Sequence, residues 1–281
     1  MGRVRQAIDE ATRTLVAAGV ASPRVDAEEL AAHVAGTTRG RLSLLEVVGD
    51  DFFGRYADLV AARSSRIPLQ HITGTAAFAS VNLNVGPGVF IPRPETEALF
   101  EWAAAQDLPA APLIVDLCTG SGALAVALAR HTPAARVIGV DISTEALAYA
   151  RRNSADTSVE LREGDVTDPS LGPDLDGRVD LVVANPPYLP DAVVLEPEVA
   201  EHDPHQALFG GPDGTAFVAA IASLAGRWLA DGGRLAIEHD DTASAATRAL
   251  LGDTAHFDDI EGHTDLTGRL RFVTARRVKR P

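Results

Sequence analysis

A chain of 281 residues with 46% hydrophobic side chains is long enough for one large domain, or for one domain and a smaller companion. Its formal net charge of −14 argues against a general DNA or RNA binder, which needs a basic surface. The single cysteine, Cys118, excludes an internal disulfide and a cysteine-rich zinc site. No run approaches the ~20 apolar residues that span a bilayer, and the first ten residues lack the apolar core of a signal peptide. The expected setting is therefore the reducing cytoplasm, away from membranes.

Residues 1–74 are predicted to be helical. Val4, Ile8, Ala11, Leu15 and Ala18 recur at helical spacing, Val25 to Val34 forms a second amphipathic stretch, and Asp51 to Arg66 a third. Residues 75–92 change character. Phe78 to Leu83 alternates and Gly86-Pro87-Gly88 marks a turn, which predicts a hairpin-like linker. Residues 93–281 form the third region, where strands and helices alternate from about Leu113. Strands are predicted at Leu113–Leu117, Arg136–Val140, Val159–Leu161 (weak), Val179–Ala184, Gly233–Glu238 and Leu270–Ala275. Helices are predicted at Ala123–Ala129, Thr144–Arg152 and Ala216–Leu229. That alternation predicts an α/β fold, a parallel sheet with helices on both faces.

The turn after the first of these strands reads Asp116-Leu117-Cys118-Thr119-Gly120-Ser121-Gly122. Gly120 and Gly122 let backbone approach a ligand closely, and Ala125 permits tight helix–strand packing. Asp141 ends the next strand nineteen residues after Gly122, where a carboxylate can accept both ribose hydroxyls of an adenosine. This pattern suits a nicotinamide dinucleotide and S-adenosylmethionine alike. Asp116 favours the second, because a carboxylate there attracts a cationic amino-acid end and repels a pyrophosphate. Asp165, after the third strand, is placed to accept an adenine amino group, with Val166 packing near the ring.

Asn185-Pro186-Pro187-Tyr188 follows the strongest strand. The prolines stiffen the backbone, and the Asn185 side-chain oxygen and the Pro186 carbonyl form a pair of acceptors for a planar NH2 group. Adenine-N6 and glutamine-N5 both present such a group, so the motif names the reacting group without naming its owner.

The order of glycine turn, Asp141, Asp165 and Asn-Pro-Pro-Tyr resembles the seven-stranded, class I S-adenosylmethionine-dependent methyltransferases. Further motifs resemble the release factor glutamine methyltransferases (HemK type). These are Pro68 to Gly74, Phe90-Ile91-Pro92-Arg93-Pro94-Glu95-Thr96-Glu97, Glu196-Pro197, Ala207 to Gly214, and Glu238-His239. The resemblance implies a seven-stranded, mostly parallel Rossmann-like sheet behind a small N-terminal helical domain that recognises the substrate. It implies methyl transfer from S-adenosylmethionine to the side-chain amide of the glutamine in the Gly-Gly-Gln motif of class 1 peptide chain release factors, which modulates translation termination. Cys118, Thr119, Gly120, Ser121, Gly122, Asp141, Asp165, Val166 and Asn185 are then expected at the cofactor. Asn185 to Tyr188 are expected to hold the glutamine, with Asn185, Pro186 and Tyr188 carrying the catalysis. Arg93, Pro94, Glu95 and Thr96 are expected to line the approach. Relatives often have glycine at the position of Cys118, and an ordinary negative φ is expected there, since a left-handed cysteine costs about 1 kcal/mol.

The closest rivals use the same pocket: an adenine-N6 nucleic-acid methyltransferase, opposed by the acidic charge, and a ribosomal-protein glutamine methyltransferase. A cofactor-binding module without activity has no need of Asn-Pro-Pro-Tyr. His202-Asp203-Pro204-His205 is not expected to bind metal, because Pro204 prevents a helix that would align the histidines. His239-Asp240-Asp241 is expected to cap a following helix. A monomer is expected.

Overall fold

The computed structural model describes residues 2–45 and 48–279; the expected domain limits at Met1 and Pro281 lie outside them. The chain forms two compact units. One consists of residues 1–75 with 195–202, the other of 76–194 with 203–281. Residues 195–202, which fall in the third region by sequence, pack with the N-terminal helices instead.

The first unit contains α1 (Gly2–Ala17), α2 (Pro23–Val34), α3 (Phe52–Ser64), α4 (Leu69–Thr73) and, from the distant segment, α8 (Pro197–His202). Ile8, Ala11 and Leu15 of α1 meet Ala27, Leu30 and Ala31 of α2 and Phe52, Tyr56 and Val60 of α3 in one core. These positions repeat at three and four residues, the spacing that sets side chains on one helix face. Segment 195–202 is held by ions. Arg63, nearly fully buried, bonds Asp26 at 2.7 Å and Glu198 at 2.8 Å, while Arg66 bonds Glu198 and reaches Glu196. Burial pushes the Glu198 carboxyl up, but the bonds from Arg66 and Arg63 prevail and hold it at about 2.

The second unit opens with a hairpin of β1 (Thr75–Phe78) and β2 (Val81–Asn84), followed by α5 (Thr96–Ala104). Its main sheet has seven strands. They are β3 (Leu113–Leu117), β4 (Arg136–Asp141), β5 (Glu160–Glu163), β6 (Val179–Ala184), β7 (Leu229–Glu238), β8 (Phe257–Thr264) and β9 (Leu270–Arg277), in the order β5-β4-β3-β6-β7-β9-β8. The first five in that order run parallel, and β9 is antiparallel to both β7 and β8.

Alternate strand residues face opposite layers, as the pleat requires. Val115, Leu117, Val182 and Ile237 pack with α9 (Val218–Trp228) and with Leu251 of α10 (Ser244–Asp253). Ile114, Val137, Val183 and Ala236 pack with α5, α6 (Ala123–His131) and the hairpin. In the same unit, α7 (Thr144–Asn153) places Ala146 and Tyr149 beside Val85, Val89 and Ile91. The expected α/β sheet with helices on both faces is therefore present. Among the described residues no helix is long and apolar enough to cross a membrane.

Candidate active site

β3 and β6 lie side by side in parallel, with Leu117 opposite Ala184, so Cys118 and Asn185 leave neighbouring strand ends together. Between β3 and β6 the strand order reverses. The crevice at such a switch point, beyond the carboxyl ends of the strands, is where open α/β sheets bind ligands.

Asn185 is half-buried there, and its Nδ2 donates to the Thr96 hydroxyl at 3.1 Å. One of the two N–H donors of the amide is thus engaged, and the side-chain oxygen is its acceptor atom. Among the described residues nothing donates to the Pro186 carbonyl. Tyr188 donates its hydroxyl to Glu238 Oε1 at 3.1 Å. Burial pushes the Tyr188 phenol well above its ordinary value, and the neighbouring Glu238 adds to this. The phenol is therefore a firm donor, not a base.

The backbone of this motif is braced by residues 208–214. Leu189 N–H donates to the Leu208 carbonyl, Gly210 N–H returns a bond to Leu189, and Asp191 N–H donates to Gly211. A Cβ on Gly210 would lie 2.5 Å from the Pro187 carbonyl, so only glycine fits.

At the glycine turn, Asp116 is buried and binds both the Thr119 hydroxyl (2.5 Å) and the Ala125 N–H (3.1 Å) through Oδ2, tying strand to helix. Its Oδ1 is buried without a hydrogen-bond partner. Burial pushes this carboxyl up to about 7, against the pull of Thr119 and Ala125. Asp141 takes the Gly120 N–H on Oδ2 at 2.7 Å and the Ser143 N–H on Oδ1 at 2.8 Å. A carboxylate oxygen has two lone pairs, so each can still accept a hydroxyl. Gly120 and Gly122 have φ of 57° and 82°. A Cβ on Gly122 would press on Ala150 at 3.3 Å. Ser121 and Thr119 are buried, and the Ser121 carbonyl accepts from Asn153.

Cys118 does not keep the expected negative φ. It sits at +59°, the conformation glycine favours, because its residue must turn the chain out of β3 into the Gly120 loop. Burial, with Asp141, Asp116 and Asp165, raises its thiol well above the usual value, so it stays protonated.

Asp165 is exposed, and its Oδ1 takes the Thr167 N–H and hydroxyl in a local turn. The neighbouring Val166 is buried. Arg93 pairs with the buried Asp203 and lies 4.9 Å over the Phe90 ring. Pro94 is exposed, and Glu95 sits at the N-cap position just before α5. Of this quartet, Thr96 is the one bonded to Asn185. The 202–205 run is divided: His202 faces His71 edge-on, Asp203 pairs with Arg93, and His205 stacks with Phe209. Asp240 caps no helix. It accepts from Thr242 in its own turn, and the helix begins too far on, with Ala243 as its cap.

Sequence reasoning assigned no role to Glu238 at this site. It is buried at the end of β7, and its one signal was the Glu238-His239 pair at a strand end.

The sheet order, switch-point crevice and glycine turn define a class I methyltransferase domain. Residues 114–196 match the family described as a methyltransferase domain, and residues 6–74 match the PrmC N-terminal domain. A methyltransferase of Pyrococcus furiosus shares the fold, with TM-score 0.53 and 17% identity over 72% of this chain and 92% of that one. Two relatives are called release factor glutamine methyltransferases. That of Mycobacterium tuberculosis is 63% identical over 98% of this chain and 91% of its own length, and that of Mycolicibacterium smegmatis 60% over 100% of both. The chain belongs to the release factor glutamine methyltransferase family.

Proposed function

We propose that this protein methylates the side-chain N5 of the glutamine in the Gly-Gly-Gln motif of class 1 peptide chain release factors, with S-adenosylmethionine as donor. It acts as a cytoplasmic monomer, on protein and not on nucleic acid. The observation that carries this reading is the Asn185–Thr96 bond. It engages one of the two N–H donors of the Asn185 amide, whose oxygen and the Pro186 carbonyl serve as two acceptors at the crevice.

An amide nitrogen is a poor nucleophile because its lone pair is delocalised into the carbonyl. Accepting both of its N–H groups aims the nitrogen and favours the charge that develops as the new N–C bond forms. Tyr188, held through its hydroxyl, packs its ring against the amide plane. The donor supplies an electrophilic sulfonium methyl group when bound. The chain's groups fit it: the unpartnered Asp116 Oδ1 suits an ammonium, Asp141 suits ribose hydroxyls, and the Gly120–Gly122 turn leaves backbone accessible. Cys118, Thr119, Ser121, Asp165 and Val166 complete this cofactor side, and Arg93, Pro94 and Glu95 line the approach. The helical unit grips the body of the release factor.

The test is transfer of radiolabelled methyl from S-adenosylmethionine to purified release factor, to its Gln→Ala version and to DNA. Label on intact release factor alone is expected. Label on DNA only, or equal label on both proteins, would overturn the reading.

A further inference from the structure

Asn153, the last residue of α7, is 7% exposed, and its side-chain amide is bonded through both oxygen and nitrogen. Its Oδ1 accepts the Asn84 N–H at 2.7 Å and the Asn84 side-chain NH2 at 2.9 Å. Its Nδ2 donates to the Asn84 carbonyl at 3.0 Å and to the Ser121 carbonyl at 2.9 Å. Turned over, the amide would set its NH2 against the Asn84 N–H and its oxygen against two carbonyls, so its polarity is fixed. Asn84 ends β2, and Ser121 lies in the glycine turn, so one buried side chain joins hairpin, helix and turn.

The turn is gripped along the length of α7. Ahead of that helix, Asp141 takes the Gly120 N–H; within it, Ala150 backs Gly122; at its end, Asn153 holds Ser121. The Ser121–Gly122 peptide is thereby held on both sides. Its carbonyl accepts from Asn153, while its N–H, pointing the opposite way in a trans peptide, donates to the Thr119 carbonyl at 2.8 Å. Rotating this peptide changes φ at Gly122, and glycine passes between positive and negative φ at little cost. The freedom that allows Gly122 its φ of 82° would therefore let the peptide turn over, unless a group outside the turn fixes its plane. Asn153 is such a group, whereas the bond to Thr119 lies within the turn itself.

We propose that Asn153 is a positioning residue for the cofactor, locking the Ser121–Gly122 peptide so that the turn has its binding arrangement before S-adenosylmethionine arrives. The inference deepens the functional reading above and rests on its choice of donor. A turn released from Asn153 holds the binding arrangement for only part of the time, and affinity falls by that fraction. Once the donor is bound, the turn is arranged as in the wild type. The cost therefore falls on donor affinity and not on methyl transfer.

Asn153→Asp keeps the shape and sets an oxygen against the Ser121 and Asn84 carbonyls. The Kd for S-adenosylmethionine, by calorimetry, is expected to rise about tenfold, as for a turn arranged for binding about a tenth of the time. At saturating S-adenosylmethionine, kcat on release factor is expected to stay within about twofold of wild type. Exchange of the Gly122 N–H with solvent, followed without cofactor, is slow in the wild type and accelerates in the variant. Asn153→Ala removes the bonds without the repulsion and carries the same expectations where Asn153→Asp does not fold. Phe257→Leu, in the core at the other edge of the sheet, is the destabilised control and should leave Kd unchanged. Circular dichroism and melting verify the fold of each variant. Wild-type Kd in a folded Asn153 variant, a loss confined to kcat, or an unprotected Gly122 N–H in the wild type would overturn the role of Asn153. So would an equal rise in Kd in Phe257→Leu at the same loss of melting temperature. Wild-type protein that binds S-adenosylmethionine but labels no release factor would overturn the substrate reading alone, and wild-type protein that does not bind it would overturn both.

Discussion

Gly214 lies so close to Tyr188 that a Cβ there would sit 2.1 Å from the Tyr188 carbonyl oxygen. Gly214 also has φ of +77°, so an alanine is both strained and without space. Gly214→Ala is expected to lose about 1–3 kcal/mol of stability and to cut turnover by displacing the Tyr188 backbone. Gly232 is the control. It has φ of +81° but nothing within 4 Å of its Cβ position. Gly232→Ala should cost about 1 kcal/mol from φ alone and leave turnover intact. Urea denaturation and methyl transfer on both variants check this.

Asn185→Ala removes one of the two acceptors while Pro186 keeps its carbonyl. A fall in kcat of about 10²–10³ is expected, the range for one preorganised polar contact. Single-turnover labelling of release factor measures it, and near-normal rates would refute the acceptor role.

The buried carboxyls of Glu238 and Asp116 are both raised to about 7 by loss of water. Between the ordinary carboxylate range and pH 7 the folded protein therefore holds protons that the unfolded chain has released. Stability contributed by each group falls as pH rises through that window, by at most about 1.4 kcal/mol per unit. Around Glu238 the charged or titratable neighbours are Tyr188, Glu95 and Arg271, the last paired with Asp265. Glu238→Gln removes the titration and leaves these in place. Its stability relative to wild type should climb from pH 4.5 to 7, read from denaturant midpoints across that range.

Arg63→Ala strips the partner from Asp26 and one of two arginines from Glu198. Leaving a buried charge uncompensated costs about 3–5 kcal/mol. Hydrogen exchange of the backbone in residues 195–202 should accelerate, and unchanged protection there would contradict the ion network as what holds the segment.

Cys118 at φ +59° makes a clean comparison of two thiol-free variants. Cys118→Gly should be more stable than Cys118→Ala by about 1 kcal/mol, measured by chemical denaturation.

How much was legible varied with burial and separation along the chain. β3 and β6 are read from sequence at their observed limits because they are covered on both faces and appear as unbroken apolar runs. β8 went unread: at the sheet edge it carries Asp258, Asp259 and Glu261 among few buried positions, so no alternation stands out. At the site, Asn185 to Tyr188 are contiguous and announce themselves. The bond from Asn185 to Thr96 spans 89 residues and that from Tyr188 to Glu238 spans 50, and no local spacing encodes either. The positive φ of Cys118 departs from its residue propensity because tertiary packing imposes the turn out of β3. Residues 208–214 stood out as a motif, but their bracing of Tyr188 depends on backbone approach that sequence does not display.

The placement of residues 195–202 bears on how the chain can be dissected. A family boundary near residue 74 invites a cut there, as though the catalytic half were a free-standing piece. A fragment starting at residue 76 would carry Glu196 and Glu198 with neither Arg63 nor Arg66 to neutralise them. It would leave that acidic stretch unmoored only six residues, 189–194, beyond Tyr188. The complementary fragment would lack a stretch of its own fold. Neither half is a module that can be exchanged between relatives by a single cut, and chimeras must move 195–202 together with the N-terminal helices.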